Sequence, residues 1–409
     1  MENEKRNTAL VQVSSQALVQ TEEKPLGYWA RVARKYQTAW LMLAFVLAFF
    51  LIVFCVLFSH AFAYDSLFYF GKDIATLASL PDQGEATVYY DYKGENAIPA
   101  AYRGGVAVAH SGGVDIYAAD STQLLSVSYE KPYAAPRIAT SRDYLVAYDF
   151  GASSFCVCNS YAKLYEGVTE APIYGAFVSS SGYFTLITGS GEALSEVLLF
   201  DADFNLKQRF QRASATVSAS VCENGRTVTL VGAVANGTLV EVYMIGDEVP
   251  LSTTSLAGLP LAAGYTTTTK LAVVTDTACY ALSQEGKVYE TVPFNGAALV
   301  AYSIGDHGVA VALETDRIGA LYRVLVLDKK GNVEADFVNE GRVKSLSLTK
   351  EHVWLLGEGE ATCVRLDHAQ TVAALATDSQ ALAIVALGDT DARVLSRAEA
   401  RYFKIDGKR

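Results

Sequence analysis

From residue 98 onward the chain repeats a unit every 37 to 44 residues, and this period restricts the fold more than any other feature. The second apolar stretch of each unit shows it best. These are Val106–Ala109, Tyr144–Ala147, Tyr183–Leu186, Thr227–Leu230, Leu271–Val274, Val309–Ala312, Val353–Leu356 and Val394-Leu395. Residues suited to tight hairpins precede most of them, as in Arg103-Gly-Gly105, Ser141-Arg-Asp143, Glu223-Asn-Gly225 and Gly305-Asp-His-Gly308. A third stretch follows, for example Phe155–Cys158, Val197–Phe200, Val240–Tyr243 and Val324–Leu327. Next come a polar turn and a more polar fourth stretch, such as Leu206–Phe210 or Val333–Phe337. Rising polarity suits an outer edge facing solvent. The first stretches are built from small residues (Pro99–Ala101, Ile138–Thr140, Ser218–Ser220, Leu261–Ala263, Ser345–Ser347), as strands converging on a narrow axis require. Four strands in about forty residues is the period of a β-propeller.

Eight such units start near residues 98, 137, 175, 217, 260, 300, 344 and 381. The expected fold class is all-β, an eight-bladed propeller of four-stranded blades over residues 86–409. Seven blades is the alternative, because the last unit is the least regular. That unit runs out after its third strand at Phe403, while Ala86–Asp91 is a strand without a unit. Supplying the missing outer strand from 86–91 closes the ring and removes the open edge between first and last blades.

Ahead of the repeats, Ala39–Ala63 holds twenty-five residues without Asp, Glu, Lys or Arg. About twenty helical residues span the ~30 Å hydrocarbon layer, so 39–63 is read as one transmembrane helix. Ala61-Phe62-Ala63 also fits a signal-peptidase site. The 38 residues before the run, and the length of the run, favour an uncleaved anchor instead. Residues 1–25 are polar and read as a disordered tail, and 64–85 as a linker. Residues 26–38 form a basic amphipathic segment in the headgroup zone, with Trp29, Arg31, Arg34, Lys35 and Trp40 as interface anchors. The bases on this side put the N-terminus in the cytoplasm and the large domain outside the cell membrane.

Of 33 bases and 44 acids, 27 and 40 lie beyond residue 63, a net of −13 there. Such a balance argues against nucleic acid as a partner. Six cysteines define no disulfide framework, and Cys55 lies in the apolar run. Cys156 and Cys158, two apart on a strand, share a face and are poorly placed to bridge each other. Small buried hydrophobes is the first reading of the others; a Cys279–Cys363 pair or a metal role is the alternative.

Motifs for chemistry are scarce. The histidines show no ligand spacing, and HExxH and GxSxG are absent. Asp201-Ala-Asp203-Phe-Asn205 opens like a calcium loop, but Leu206 and Arg212 stand where Gly and Glu are needed, so a turn is expected. Gly189-Ser-Gly191 reads as a hairpin loop rather than a phosphate cradle. Asn236-Gly-Thr238 is a formal glycosylation acceptor.

Units such as Val324-Leu-Val-Leu-Asp-Lys-Lys-Gly-Asn332 resemble the repeat of quinoprotein-dehydrogenase-like propellers, where an apolar strand ends in Asp and a Gly-containing turn. Those enzymes carry a regular Trp in each blade. Here the domain has Trp354 alone, so the resemblance implies no cofactor. The whole layout, with its basic tail, single span and a domain opening YDSLFYFGKD at Tyr64, resembles an uncharacterised family of membrane-anchored propeller proteins from Gram-positive bacteria. That likeness implies no activity. The expected role is a binding or scaffolding module whose partners are the lipid bilayer and other envelope proteins. One alternative is an enzyme acting on an envelope glycan or as a quinone-linked oxidoreductase. The other is a sensor working through a cytoplasmic partner.

Overall fold

Each repeat unit alternates apolar stretches with turns, and a stretch of four or five apolar residues is stable as a strand only when both faces are covered. The computed structural model meets that need by placing sheets face to face around an axis. It describes residues 27, 29, 32, 33, 35–52, 71, 87–90, 96–316 and 321–405. Residues 1–67 and 68–409 form two separate units.

In the larger unit, the described residues form thirty-two strands grouped into eight antiparallel four-stranded sheets. In chain order the blades span residues 98–128, 136–168, 173–212, 215–256, 260–293, 298–340, 345–376 and 383–404. Blade 8 supplies only three strands of its own. Its fourth is Thr87–Tyr89, which pairs with Glu399–Lys404 through Thr87–Arg401, Val88–Ala400 and Tyr89–Glu399. Eight blades and the expected closure are therefore both present, and seven is ruled out. The closing strand is shorter than the 86–91 expected, and residues 91–95 lie outside the described residues.

Eight apolar clusters follow the same count, one at each junction between neighbouring blades. Ile116 and Leu145 join blades 1 and 2, and Trp354 and Val394 join blades 7 and 8. Val88, Val106 and Leu395 complete the circle between blades 8 and 1. Each fully buried Val, Leu or Phe contributes about 1.5–3 kcal/mol, so the ring is held mainly by faces of blades pressed together. Second strands are buried along their length, as at His352–Leu356 and Phe184–Thr188. Outer strands are exposed, as at Val288–Pro293.

The small inner residues do more than fit a narrow axis. Their hydroxyls tie blades together. Ser218 and Ser220 Oγ donate to the Ala263 carbonyl at 3.1 and 3.3 Å. From the second strand of blade 3, Thr185 Oγ1 likewise donates to the Ala219 carbonyl of the inner strand of blade 4. Ser345 and Ser347 Oγ accept from the amides of Ile384 and Ala386 at 3.3 and 3.0 Å. An innermost strand is bonded on one edge only, and these side chains satisfy part of the other edge.

The turn between third and fourth strands has a recurring device. Asp201 Oδ1 accepts from the amides of Asp203 and Asn205 (3.0 and 2.9 Å), and Asp328 Oδ1 does the same for Lys330 and Asn332 (2.7 and 2.9 Å). Asn159 Oδ1 caps the Tyr161 and Ala162 amides. The Asp that ends each apolar strand in the quinoprotein-like pattern is thus a turn cap. The same bonds explain why 201–205 is a turn, as expected. Gly308, at φ 134°, is one place where glycine is compulsory: a Cβ there would stand 2.0 Å from the Leu327 carbonyl.

Some strand limits move. Tyr144 and Tyr183 precede their strands, because Tyr144 closes the turn with Ser141 instead of joining the ladder. The innermost strand of blade 8 is Ala383–Ala386, extending past the Leu382-Ala383 expected. The five described cysteines, Cys156, Cys158, Cys222, Cys279 and Cys363, are all free and buried. Cys279 and Cys363 lie in different junctions, which removes the pairing considered for them.

Candidate functional site

Seven of the eight inner strands border a cavity of about 930 Å³ on the axis. Its walls are inner-strand residues, and its mouth is made by the turns that lead from first to second strands. Lining residues come from blades 1 to 6 and blade 8. The walls mix apolar side chains such as Val178, Ile304 and Val385 with the hydroxyls of Thr140, Ser141, Ser179, Ser180 and Ser220.

Four charged side chains line the mouth, Arg103 and Arg142 from blades 1 and 2, and Glu223 and Asp306 from blades 4 and 6. Each occupies the turn position that the repeat reserves for hairpin residues. Arg103 holds φ at 49° and its Nη1 donates to Ser160 Oγ at 2.6 Å. Arg142 is exposed, and its guanidinium donates to Asp143 Oδ2 at 3.1 Å. The hydrogen bond to Asp143 raises the basicity of Arg142 most, followed by the charges of Asp143, Glu223 and Asp306. Blade 2 therefore feels the acids of blades 4 and 6 across the opening. Ser180 Oγ donates to Glu223 Oε1 at 3.4 Å.

Aromatic rings reach the cavity at Tyr102, Phe177 and Tyr265, but each is engaged in the walls. Tyr102 is buried and its hydroxyl donates to the Asp143 carbonyl at 2.7 Å. The Tyr265 hydroxyl shares hydrogen bonds with Thr227 and Thr229, at 3.1 and 2.7 Å. Burial pushes the Tyr265 phenol up to about 12. Phe177 leans on the cluster between blades 3 and 4.

A second cavity of about 480 Å³ lies at the outer rim, between the last strand of blade 3 and blade 4. Its two arginines are already paired. Arg209 meets Glu170 at 2.8 Å and Glu196 at 3.7 Å. Arg212, nearly buried, pairs with Glu241 and donates to the Tyr243 hydroxyl at 3.0 Å. These contacts hold blades together rather than present chemistry to a ligand.

In the smaller unit, the described helix Lys35–Ile52 is long and apolar enough to cross a membrane. None of it is buried. Of the expected interface residues, Trp29, Lys35 and Trp40 are exposed on helical backbone, while Arg31 and Arg34 lie outside the described residues. Residues 53–63, the rest of the expected span, also lie outside them, as do the tail 1–25 and most of the linker 64–85. Among the described residues no group of three His, Cys, Asp or Glu side chains is placed to hold a metal ion. Asn236, the formal glycosylation acceptor, is exposed in the hairpin between the second and third strands of blade 4.

Sequence reasoning marked the mouth residues only as hairpin residues. The signal was a charged residue in the repeated turn between first and second strands, but units 7 and 8 carry one there too, at Lys350, Glu351 and Asp389, so it does not single out units 1, 2, 4 and 6.

A family of unknown function (DUF5711) matches residues 85–241, the closing strand and blades 1 to 3 with most of blade 4. No curated protein matches the sequence. Among solved structures, the chain is similar to the computationally designed Ika8 protein, at 12% identity and a TM-score of 0.61, over 79% of this chain and 100% of that one. It is similar to Sqt1 from Chaetomium thermophilum at 11% identity and a TM-score of 0.58, over 79% and 100%. BamB from Moraxella catarrhalis gives 11% and 0.52, over 78% and 98%. At such identities the likeness is one of fold.

Proposed function

We propose that the protein is a membrane-anchored propeller whose large domain binds or organises other molecules outside the cell membrane. The axial cavity carries this reading. Its charged groups stand on four different blades around a mouth, with hydroxyls between them. Groups spread in this way hold a ligand at several points; an acid–base pair acts at one. The helix supports the anchor. Its exposed face runs all the way round, and a helix apolar on every side needs an apolar medium. Trp29, Arg31, Arg34, Lys35 and Trp40 then sit at the near interface, and the bases hold the N-terminus in the cytoplasm. The partners on this reading are the bilayer and envelope proteins.

The test is crosslinking of the tagged full chain in native membranes, followed by identification of neighbours, with protease accessibility of tags at both ends. Reproducible envelope-protein neighbours and a protected N-terminal tag support the proposal. Recovery of only a turnover product, with no protein neighbour, overturns it.

A further inference from the structure

Resting on the reading of the cavity as a binding site, we propose that its mouth takes a short extended peptide carrying both a carboxylate and an ammonium group. The carboxylate lies toward Arg103 and Arg142, and the ammonium toward Glu223 and Asp306. Three observations lead there.

The first is the separation of charge. Of the lining residues, the two cations stand on adjacent blades 1 and 2 and the two acids on blades 4 and 6, while Asp143, bonded to Arg142, and Asp389 stand in the mouth turns of blades 2 and 8. In a ring of eight, blade 6 lies opposite blade 2. A ligand of one sign meets both attraction and repulsion around such a mouth, whereas one with both signs can set its carboxylate by the arginines and its ammonium by the facing acids.

The second is the wall between the charges. Thr140, Ser141, Ser179, Ser180 and Ser220 line it; Ser141, Ser180 and Ser220 donate within the protein, which leaves their oxygens able to accept from a ligand. Each inner strand also has one hydrogen-bonding edge outside its own sheet. A peptide backbone offers alternating donors and acceptors to match. The volume, about 930 Å³, lies at the upper end of ligand pockets and accommodates several residues.

The third separates peptides from sugars and nucleotides. Those ligands rest their rings on exposed aromatic faces. Here Tyr102, Phe177 and Tyr265 line the cavity, but their rings are set in the junctions between blades.

The experiment uses the full chain in detergent micelles and a library of free tetrapeptides, with N-acetylated and C-amidated counterparts, and chitotetraose as a glycan probe. Binding is read by saturation-transfer NMR and calorimetry. Free tetrapeptides are expected to bind, with affinity falling as salt rises. Blocking either terminus should weaken binding at least about tenfold, the equivalent of ~1.4 kcal/mol. Arg142→Ala should reproduce the loss for the free carboxylate and Glu223→Ala that for the free amine. Both side chains are exposed, so an unchanged melting temperature shows that the fold is intact. Blocked and free peptides binding alike, chitotetraose binding instead, or neither probe binding each overturns the inference. None of these outcomes bears on envelope-protein neighbours, so the broader proposal fails or stands on its own crosslinking result.

Discussion

Val88 stands opposite Ala400 in an antiparallel pair, so a residue ahead of the first full repeat completes the last blade. Both side chains are buried between blades 8 and 1, where Val106, Val108 and Leu395 cover them. The ring is thereby closed by hydrogen bonds and apolar contact between its two chain ends.

Val88→Asp places a charge in that junction without a partner. Stability should fall by about 3 kcal/mol or more, because a buried charge is costly. Urea unfolding of the full chain in micelles measures it. A loss under 1 kcal/mol would show that the closing strand contributes little.

Arg393 lies in the same region, fully buried on the second strand of blade 8. Its Nη2 donates to the Ala119 carbonyl of blade 1 at 3.0 Å, while Nε and Nη1 find no hydrogen-bond partner among the described residues. Burial lowers its basicity from the ordinary arginine value to about 10. The unfolded chain therefore binds more protons between those two values. Stability from this group rises with pH across that window, and its cost is fully present at pH 7. Arg393→Met should leave stability at pH 7 unchanged or raise it by about 1 kcal/mol. Arg393→Ala should lower it by about 2 kcal/mol through the void. The advantage of the Met variant should shrink as pH rises through 10; a gap that widens would reverse the assignment.

Breaking the Arg212–Glu241 pair gives the opposite sign. Glu241→Ala leaves the guanidinium nearly buried with only the Tyr243 hydroxyl, and should cost about 3–5 kcal/mol. Adding Arg212→Met should restore most of the loss. A double-mutant cycle near zero would mean that the pair is not coupled.

The thiols should be silent in the native state. Cys156 and Cys158 place their sulfurs 3.5 Å apart in the junction of blades 1 and 2, and burial pushes the Cys279 thiol up to about 12. Ellman's reagent at pH 8 should modify none of the five propeller cysteines until denaturant is added, and reductant should not change that count. Rapid native labelling at Cys279 would contradict the burial.

On the proposed topology, Leu47→Arg puts a charge in the middle of the span, at a cost of about 2.5–3.5 kcal/mol. More of the protein should then appear in the carbonate-soluble fraction. Unchanged extraction would count against Lys35–Ile52 as the anchor.

The propeller was legible in the sequence because its determinants are local and repeated. A period near forty, small inner residues, apolar middle strands and polar outer strands each follow from the burial of one strand position. The orphan strand near 86 and the incomplete unit ending at 403 together implied closure. The turn caps at Asp201 and Asp328 were also visible, as Asp followed by Asn four residues on. The site was not. Arg142 and Asp306 are hairpin residues by any local measure, and nothing between them in the chain joins them. They face one cavity because eight blades, each turned by the same step, bring blade 2 opposite blade 6. Sequence fixes what each repeat builds, since each strand's burial is set by its own pattern. Which charges share a mouth depends on blade count and ring closure, and those act only once the whole circle has formed.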